Sequence, residues 1–92
     1  MAAEAEPEEI RRAISELIER SEAEGVFVDY AKRLNRAGEY GLALSELVRF
    51  IRHERKPHLI ADRLDVFRTL NDHFSKDPNM RRNGYPLNLS PE

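Results

Sequence analysis

Hydrophobic residues recur at helical spacing in four stretches of the chain, and a helix-breaking signal follows each stretch. The first stripe consists of Ile10, Ile14, Leu17 and Ile18. Side chains three and four residues apart share one face of a helix, so this spacing is typical of an amphipathic helix. Pro7 suits a first helical turn, and Gly25 interrupts the pattern. We therefore predict a first helix over 7–23.

The second and third stripes meet at Gly38, which suits the left-handed position that ends many helices. The residues Val26, Phe27, Tyr30, Ala31, Leu34 and Ala37 predict a second helix over 26–37. A third helix begins at residue 39 or 40 and carries Tyr40, Ala43, Leu44, Leu47, Val48 and Ile51. Leu42 and Phe50 widen this third stripe, which places the helix centrally in a bundle. Pro57 prevents its continuation.

The fourth stripe predicts a helix over 59–74 that contains Leu59, Ile60, Leu64, Phe67, Leu70 and Phe74. Residues 75–92 hold three Asn, three Pro and one Gly, a composition that predicts no helix. In this segment Tyr85, Leu87 and Leu89 alternate with other residues. We expect them to lie extended along a groove between helices.

The short connections between these stretches favour antiparallel neighbouring helices. We therefore predict an all-α fold, a compact bundle of four short antiparallel helices followed by an irregular C-terminal tail. The chain has 92 residues, which is enough for one small domain. The expected division is a helical bundle domain over 1–74 and a tail over 75–92.

The amino-acid composition limits the kinds of site and the cellular compartment that we expect for this protein. Cysteine is absent, which excludes disulfides, thiol catalysis and cysteine-based zinc sites. No apolar run approaches the roughly 20 residues that cross a bilayer, and the acidic N-terminus lacks the features of a signal peptide. We expect a cytoplasmic protein. The net charge of −2 combines −5 over residues 1–24 with +3 over residues 25–92.

Candidate chemistry is sparse. His53, His58 and His73 do not share one helical face, so a metal site is not expected. Glu16 and Glu19 lie on a charged helix face and do not suggest a carboxylate pair in a cleft. The Gly38–Gly41 segment follows a helix and lacks the further Gly and the Lys of a phosphate loop. We predict no catalysis and no cofactor.

A basic tract, defined as Arg49, Arg52, His53, Arg55 and Lys56, ends the third predicted helix. Positive charge there complements the helix dipole. A surface for an anionic partner or nucleic acid remains an alternative. A helix-turn-helix interpretation fails, because apolar residues follow the turn where a recognition helix would present polar side chains.

The segment Gly38-Glu39-Tyr40-Gly41-Leu42-Ala43-Leu44 resembles a motif of small bacterial immunity proteins, the MafI-type and related proteins encoded beside polymorphic or contact-dependent toxins. Glu46-Leu47, Pro57 and Leu59 extend the resemblance, which covers about residues 26–74. The resemblance implies a small helical protein that binds and neutralises a cognate toxin domain by direct contact, without catalysis.

In such a protein, exposed acidic residues would steer a basic partner. The candidate partner-binding residues are Glu16, Glu19, Glu39, Asp62, Asp65 and Tyr85. The alternative hypotheses are a non-catalytic helical adaptor or regulatory subunit, and a nucleic-acid-binding regulator that uses the basic tract.

Overall fold

The computed structural model describes residues 6–90, which form helices and irregular segments without a strand. The all-α prediction is confirmed. The described range contains six helices rather than the predicted four. They are α1 (Pro7–Ala23), α2 (Asp29–Arg36), α3 (Tyr40–His53), α4 (His58–Ala61), α5 (Leu64–Ser75) and α6 (Pro78–Arg81).

Helix α1 agrees with its predicted bounds of 7–23. Pro7 opens the helix, and the Glu6 N–H donates to Glu9 Oε1 at 3.3 Å, which satisfies a backbone group before the first turn. The predicted stripe of Ile10, Ile14, Leu17 and Ile18 is buried. The hydrophobic period therefore correctly identified the face of α1 that packs into the core.

The second predicted helix, over 26–37, is wrong at its start. Helix α2 begins only at Asp29, and residues 26–28 are not helical. Gly25 adopts a φ of 83°, a conformation that favours glycine. In the segment that follows, Val26 and Val28 are buried and Phe27 points outward with 55% of its surface exposed. The alternation has the period of an extended chain.

The fourth predicted helix, over 59–74, is broken into α4 and α5. In a continuous helix the Arg63 N–H would donate to the Leu59 carbonyl. That carbonyl instead accepts from Arg20 Nη1 at 3.1 Å, and the Arg63 N–H donates to the Ile60 carbonyl at 3.1 Å. A long-range contact with α1 thus accompanies the interruption.

Helices α1, α2 and α3 pack against one another. Asn35 Nδ2 donates to Ser15 Oγ at 3.0 Å, and Lys32 donates to Glu22 at 2.7 Å, so α1 and α2 run antiparallel. Gly38, with φ 80°, ends α2 and allows α3 to return against it. The third stripe is buried at Ala43, Leu44, Leu47, Val48 and Ile51, whereas Leu42 and Phe50, which were predicted to widen it, are half-buried.

The prediction of no helix after residue 75 is wrong for α6. Asp77 Oδ1 accepts from the Asn79 N–H at 2.9 Å and caps this short helix, in which Pro78 is the first residue. Beyond α6, Tyr85 is buried, and Leu87 and Leu89 pack against the core. The segment packs between helices as predicted, but a bend at Pro86 interrupts the predicted extended conformation. The domain division at residue 75 stays a prediction.

None of the helices in residues 6–90 combines the length and the apolar character that a membrane span requires.

Candidate protein-binding surface

Exposed aromatic side chains lie just before α2 and in its first turn. Phe27 is 55% exposed and Tyr30 is 48% exposed. The Phe27 ring contacts the half-buried Phe50 ring of α3, with 5.7 Å between centroids. Large apolar side chains at this exposure are candidates for contacts with other molecules when they lie together.

Two arginines accompany these rings. The Arg33 guanidinium lies 6.0 Å from the centroid of Tyr30, and the Arg49 guanidinium lies 5.1 Å from the centroid of Phe50. Arg49 also donates to Glu46 at 2.6 Å, whereas Arg33 makes no ion pair within residues 6–90. We call Phe27, Tyr30, Arg33, Arg49 and Phe50 the aromatic–arginine surface. Aromatic residues and arginine are enriched among the anchors of protein interfaces.

The sequence prediction assigned Phe27 and Tyr30 to a core-facing stripe and therefore missed this surface. The signal that distinguishes them is the short alternation Val26-Phe27-Val28. Period 2 places the two valines on one side and the phenylalanine on the other. Both valines are buried. Their burial leaves Phe27 outside. Helix α2 then buries Ala31 and Asn35, which leaves Tyr30 exposed.

Two of the predicted partner-binding acids have intramolecular partners. Asp62 accepts from Arg20 Nη2 at 2.8 Å, and Glu16 lies 3.5 Å from Arg63. Both ion pairs join α1 to the turn between α4 and α5. Their side chains are partly exposed, so each pair contributes a modest stabilisation at most. These two carboxylates are partly neutralised before any partner arrives.

The other predicted site residues do not form one patch. Glu19 lines a cleft between α1 and α2, Glu39 is the exposed residue before α3, and Asp65 is exposed in the first turn of α5. Tyr85 is only 4% exposed, and its hydroxyl donates to the Gly41 carbonyl at 2.6 Å. Burial raises the pKa of the Tyr85 hydroxyl. In this conformation Tyr85 packs internally and does not face a partner.

The basic tract is also engaged internally. Arg49 pairs with Glu46, Arg52 donates to the Ser90 carbonyl at 2.7 Å, and Lys56 lies 3.7 Å from Glu24. Arg55 and His53 are exposed. A nucleic-acid surface needs cations available to phosphates, and three of the five residues in the tract already have partners.

The cleft between α1 and α2 has a volume of about 580 Å³. Its walls are mostly polar, and two interactions cross it: Lys32 with Glu22, and Asn35 with Ser15. The lining side chains are Arg11, Ser15, Ile18, Glu19, Glu22, Lys32, Asn35 and Arg36. Positive and negative side chains both line the cleft, so its lining does not indicate one class of ligand.

The histidines do not form a common site within the described residues. Nε2 of His58 lies 2.8 and 2.9 Å from the two carboxylate oxygens of Glu24. This hydrogen bond holds the pKa of Glu24 below its usual value. No group of three His, Asp or Glu residues within 6–90 is arranged to hold a metal ion. The contact between His58 and Glu24 joins α4 to the end of α1.

Comparisons with protein-family models, with curated proteins and with solved structures found no match.

Proposed function

We propose that this chain is a non-catalytic protein-binding module that acts as an immunity protein, neutralising a bacterial toxin domain by direct contact in the cytoplasm of the producing cell. The aromatic–arginine surface is the observation that carries the binding part of this proposal. The resemblance at Gly38–Leu44 supplies the class of partner. The same stretch ends α2 and starts α3, so it supports the surface without being part of it.

The surface has the composition of an interface anchor. Phe27 and Tyr30 each leave about half of a large side chain in water, and covering such surface is favourable by roughly 25 cal/mol per Å². Arg33 lies against the Tyr30 ring and has no ion pair within residues 6–90, so it can meet a carboxylate, whereas Arg49 lies against the Phe50 ring and already pairs with Glu46. A few anchors of this kind contribute most of the binding energy in typical interfaces.

The charge of this part of the chain favours an acidic partner surface. Residues 27–56 contain seven basic and four acidic residues, a net charge of +3, whereas residues 1–24 carry −5. Complementary charge accelerates association and orients the partner. We therefore place the first contact at the aromatic–arginine surface, and we expect the acidic residues of α1 to lie outside it.

The test is co-expression with the toxin domain encoded beside the gene, comparing wild type, Phe27→Ala/Tyr30→Ala and Val66→Ala. Val66 is an exposed apolar side chain on α5, 37% accessible, so its variant is a matched control for lost apolar surface. The wild-type chain should rescue growth and co-purify with the toxin domain. The double variant should weaken binding at least about tenfold, roughly 1.4 kcal/mol, and Val66→Ala less than about twofold.

Unfolding in urea provides the stability control, because all three chains should unfold at similar concentrations. The absence of both rescue and co-purification would contradict the immunity function. Rescue that is equally strong for all three variants would leave the function intact but remove the aromatic–arginine surface from it. A stable complex with a protein that is not a toxin would instead favour the adaptor function.

A further inference from the structure

The C-terminal tail lies between α3 and α5 and is held there through both its backbone and its side chains. The Ser45 hydroxyl donates to the Asn83 carbonyl at 3.3 Å, and Arg52 donates to the Ser90 carbonyl at 2.7 Å. These contacts run in the direction of α3, from Ser45 towards Arg52. We call the site the tail groove; its walls include Gly41, Ser45, Arg52, Asn71 and Phe74.

Asn71 binds the tail as a neighbouring strand would. Its Oδ1 accepts from the Leu87 N–H at 2.7 Å, and its Nδ2 donates to the Leu87 carbonyl at 3.1 Å. One side-chain amide thus satisfies both backbone groups of one residue. An antiparallel strand partner makes the same two bonds to a hydrogen-bonded residue. Recognition of this type does not depend on the side chain at position 87.

Side chains add selectivity at alternate positions. Tyr85 is buried, its ring contacts Phe74 with 5.5 Å between centroids, and its hydroxyl donates to the Gly41 carbonyl. Leu87 and Leu89 pack against the core, whereas Pro86, Asn88 and Ser90 are exposed. Inward and outward positions therefore alternate from Tyr85 to Ser90, with a bend at Pro86.

We propose that the tail groove is a binding site for a peptide with the pattern Tyr-x-Leu-x-Leu, and that the chain's own tail fills it here. Main-chain hydrogen bonds at three points provide affinity and the alternate apolar positions provide specificity, the division of roles that is general in recognition of a peptide backbone. A segment of this pattern from another molecule displaces the tail when its concentration is sufficient. This inference does not depend on the immunity function.

Because the tail is covalently attached, a free peptide needs a high concentration to displace it from the tail groove. A short linker holds a segment near its site at an effective concentration of about millimolar. A free peptide with the same contacts must reach a similar concentration to displace the tail of the wild-type chain. Weakening the attached tail lowers this threshold. Leu87→Ala in the full-length chain should do so, because it removes an apolar contact of the tail and leaves Asn71 unchanged.

The experiment adds a fluorescent peptide of residues 83–90 to full-length Leu87→Ala and measures anisotropy. We expect saturable binding at peptide concentrations at least about tenfold below those needed for the wild-type chain. The control peptide carries Tyr85→Ala and should bind at least about tenfold more weakly. Circular dichroism verifies that the variant is folded.

Two results would overturn the proposal: no binding to a folded Leu87→Ala chain up to about millimolar peptide, or equal binding of the two peptides. If Leu87→Ala does not fold, the wild-type chain replaces it. In that case several millimolar unlabelled peptide should shift the NMR signal of the chain's own Leu87 backbone amide, which loses its bond to Asn71, but not that of the Asn35 side chain. An unchanged Leu87 signal would equally overturn the proposal.

Discussion

The hydroxyl of Ser21 is fully buried on α1 and has no hydrogen-bond partner within residues 6–90. An unpaired buried hydroxyl is unfavourable, and alanine is also the better helix former. We expect Ser21→Ala to raise the free energy of unfolding by up to about 1 kcal/mol. Denaturation in urea measures this change, and a loss of stability would show that the hydroxyl is satisfied.

Ser15 offers the matched control on the same helix. Its Oγ accepts from Asn35 Nδ2 at 3.0 Å, and Asn35 is itself buried. Ser15→Ala removes this acceptor and should lower the free energy of unfolding by about 1 kcal/mol. The two Ser→Ala changes on α1 are thus predicted to act in opposite directions.

The buried Tyr85 hydroxyl predicts a specific dependence on alkaline pH. Burial raises the pKa of this group in the folded state, whereas an unfolded chain has a tyrosine pKa of about 10. Above that pH the unfolded state binds fewer protons, so the stabilisation linked to Tyr85 is complete below about pH 10 and declines as the pH rises further. Urea unfolding between pH 8 and 11 should show this decline.

Tyr85→Phe isolates the contribution of Tyr85, because other groups also titrate in this range. Below about pH 10 the variant should be less stable by about 1 kcal/mol, through loss of the hydrogen bond to Gly41. Above it the difference between the two proteins should shrink. A constant difference across the whole range would contradict a raised pKa for Tyr85.

At the scale of elements, Gly41 lies at the start of α3 and is contacted by Met80 of α6 and Phe74 of α5. A Cβ at this position would lie 2.4 Å from Met80 Sδ and 3.2 Å from Phe74 Cδ1. Gly41→Ala should therefore lower the free energy of unfolding by about 1–3 kcal/mol through overpacking. Met80→Ala should relieve most of this clash.

A double-mutant cycle in urea tests the contact. Gly41→Ala and Met80→Ala should be less than additive, with an interaction of about 1 kcal/mol in the compensating direction. Full additivity would mean that Met80 does not contact the start of α3. Gly38 and Gly41 both belong to the segment Gly38–Leu44, but they have different structural roles. Gly38 ends α2, whereas Gly41 leaves room for Met80 of α6.

The helices predicted most accurately from the sequence are those whose ends are determined by residues close to them in the chain. Helix α1 has a long regular stripe and a proline at its start, and its bounds agree with the prediction. The interruption between α4 and α5 coincides with a contact from Arg20 to the Leu59 carbonyl, 39 residues away. No local pattern reveals such a partner. At Val26–Val28 the alternating segment is only three residues long, too short to outweigh a helical pattern.

At the scale of the whole molecule, the candidate surface was harder to predict than the fold. The acidic residues are predicted from sequence because exposed acids would steer a basic partner. Asp62 nevertheless pairs with Arg20 across 42 residues, and Glu16 pairs with Arg63. Exposure of Phe27 and Tyr30 depends on how α2 packs against α1 and α3. Which apolar residues remain exposed is decided by how the helices pack. A hydrophobic pattern alone assigns both Phe27 and Tyr30 to the core.

Hydrogen–deuterium exchange with and without the proposed partner, a toxin domain encoded beside the gene, tests the central claim most directly. Binding at the aromatic–arginine surface should slow exchange in 26–36 and 46–53, because a bound partner suppresses local opening there. Exchange in α1 near Glu16 and Glu19 should change little. Slower exchange confined to α1 and the turn between α4 and α5, or no change at all, would contradict it.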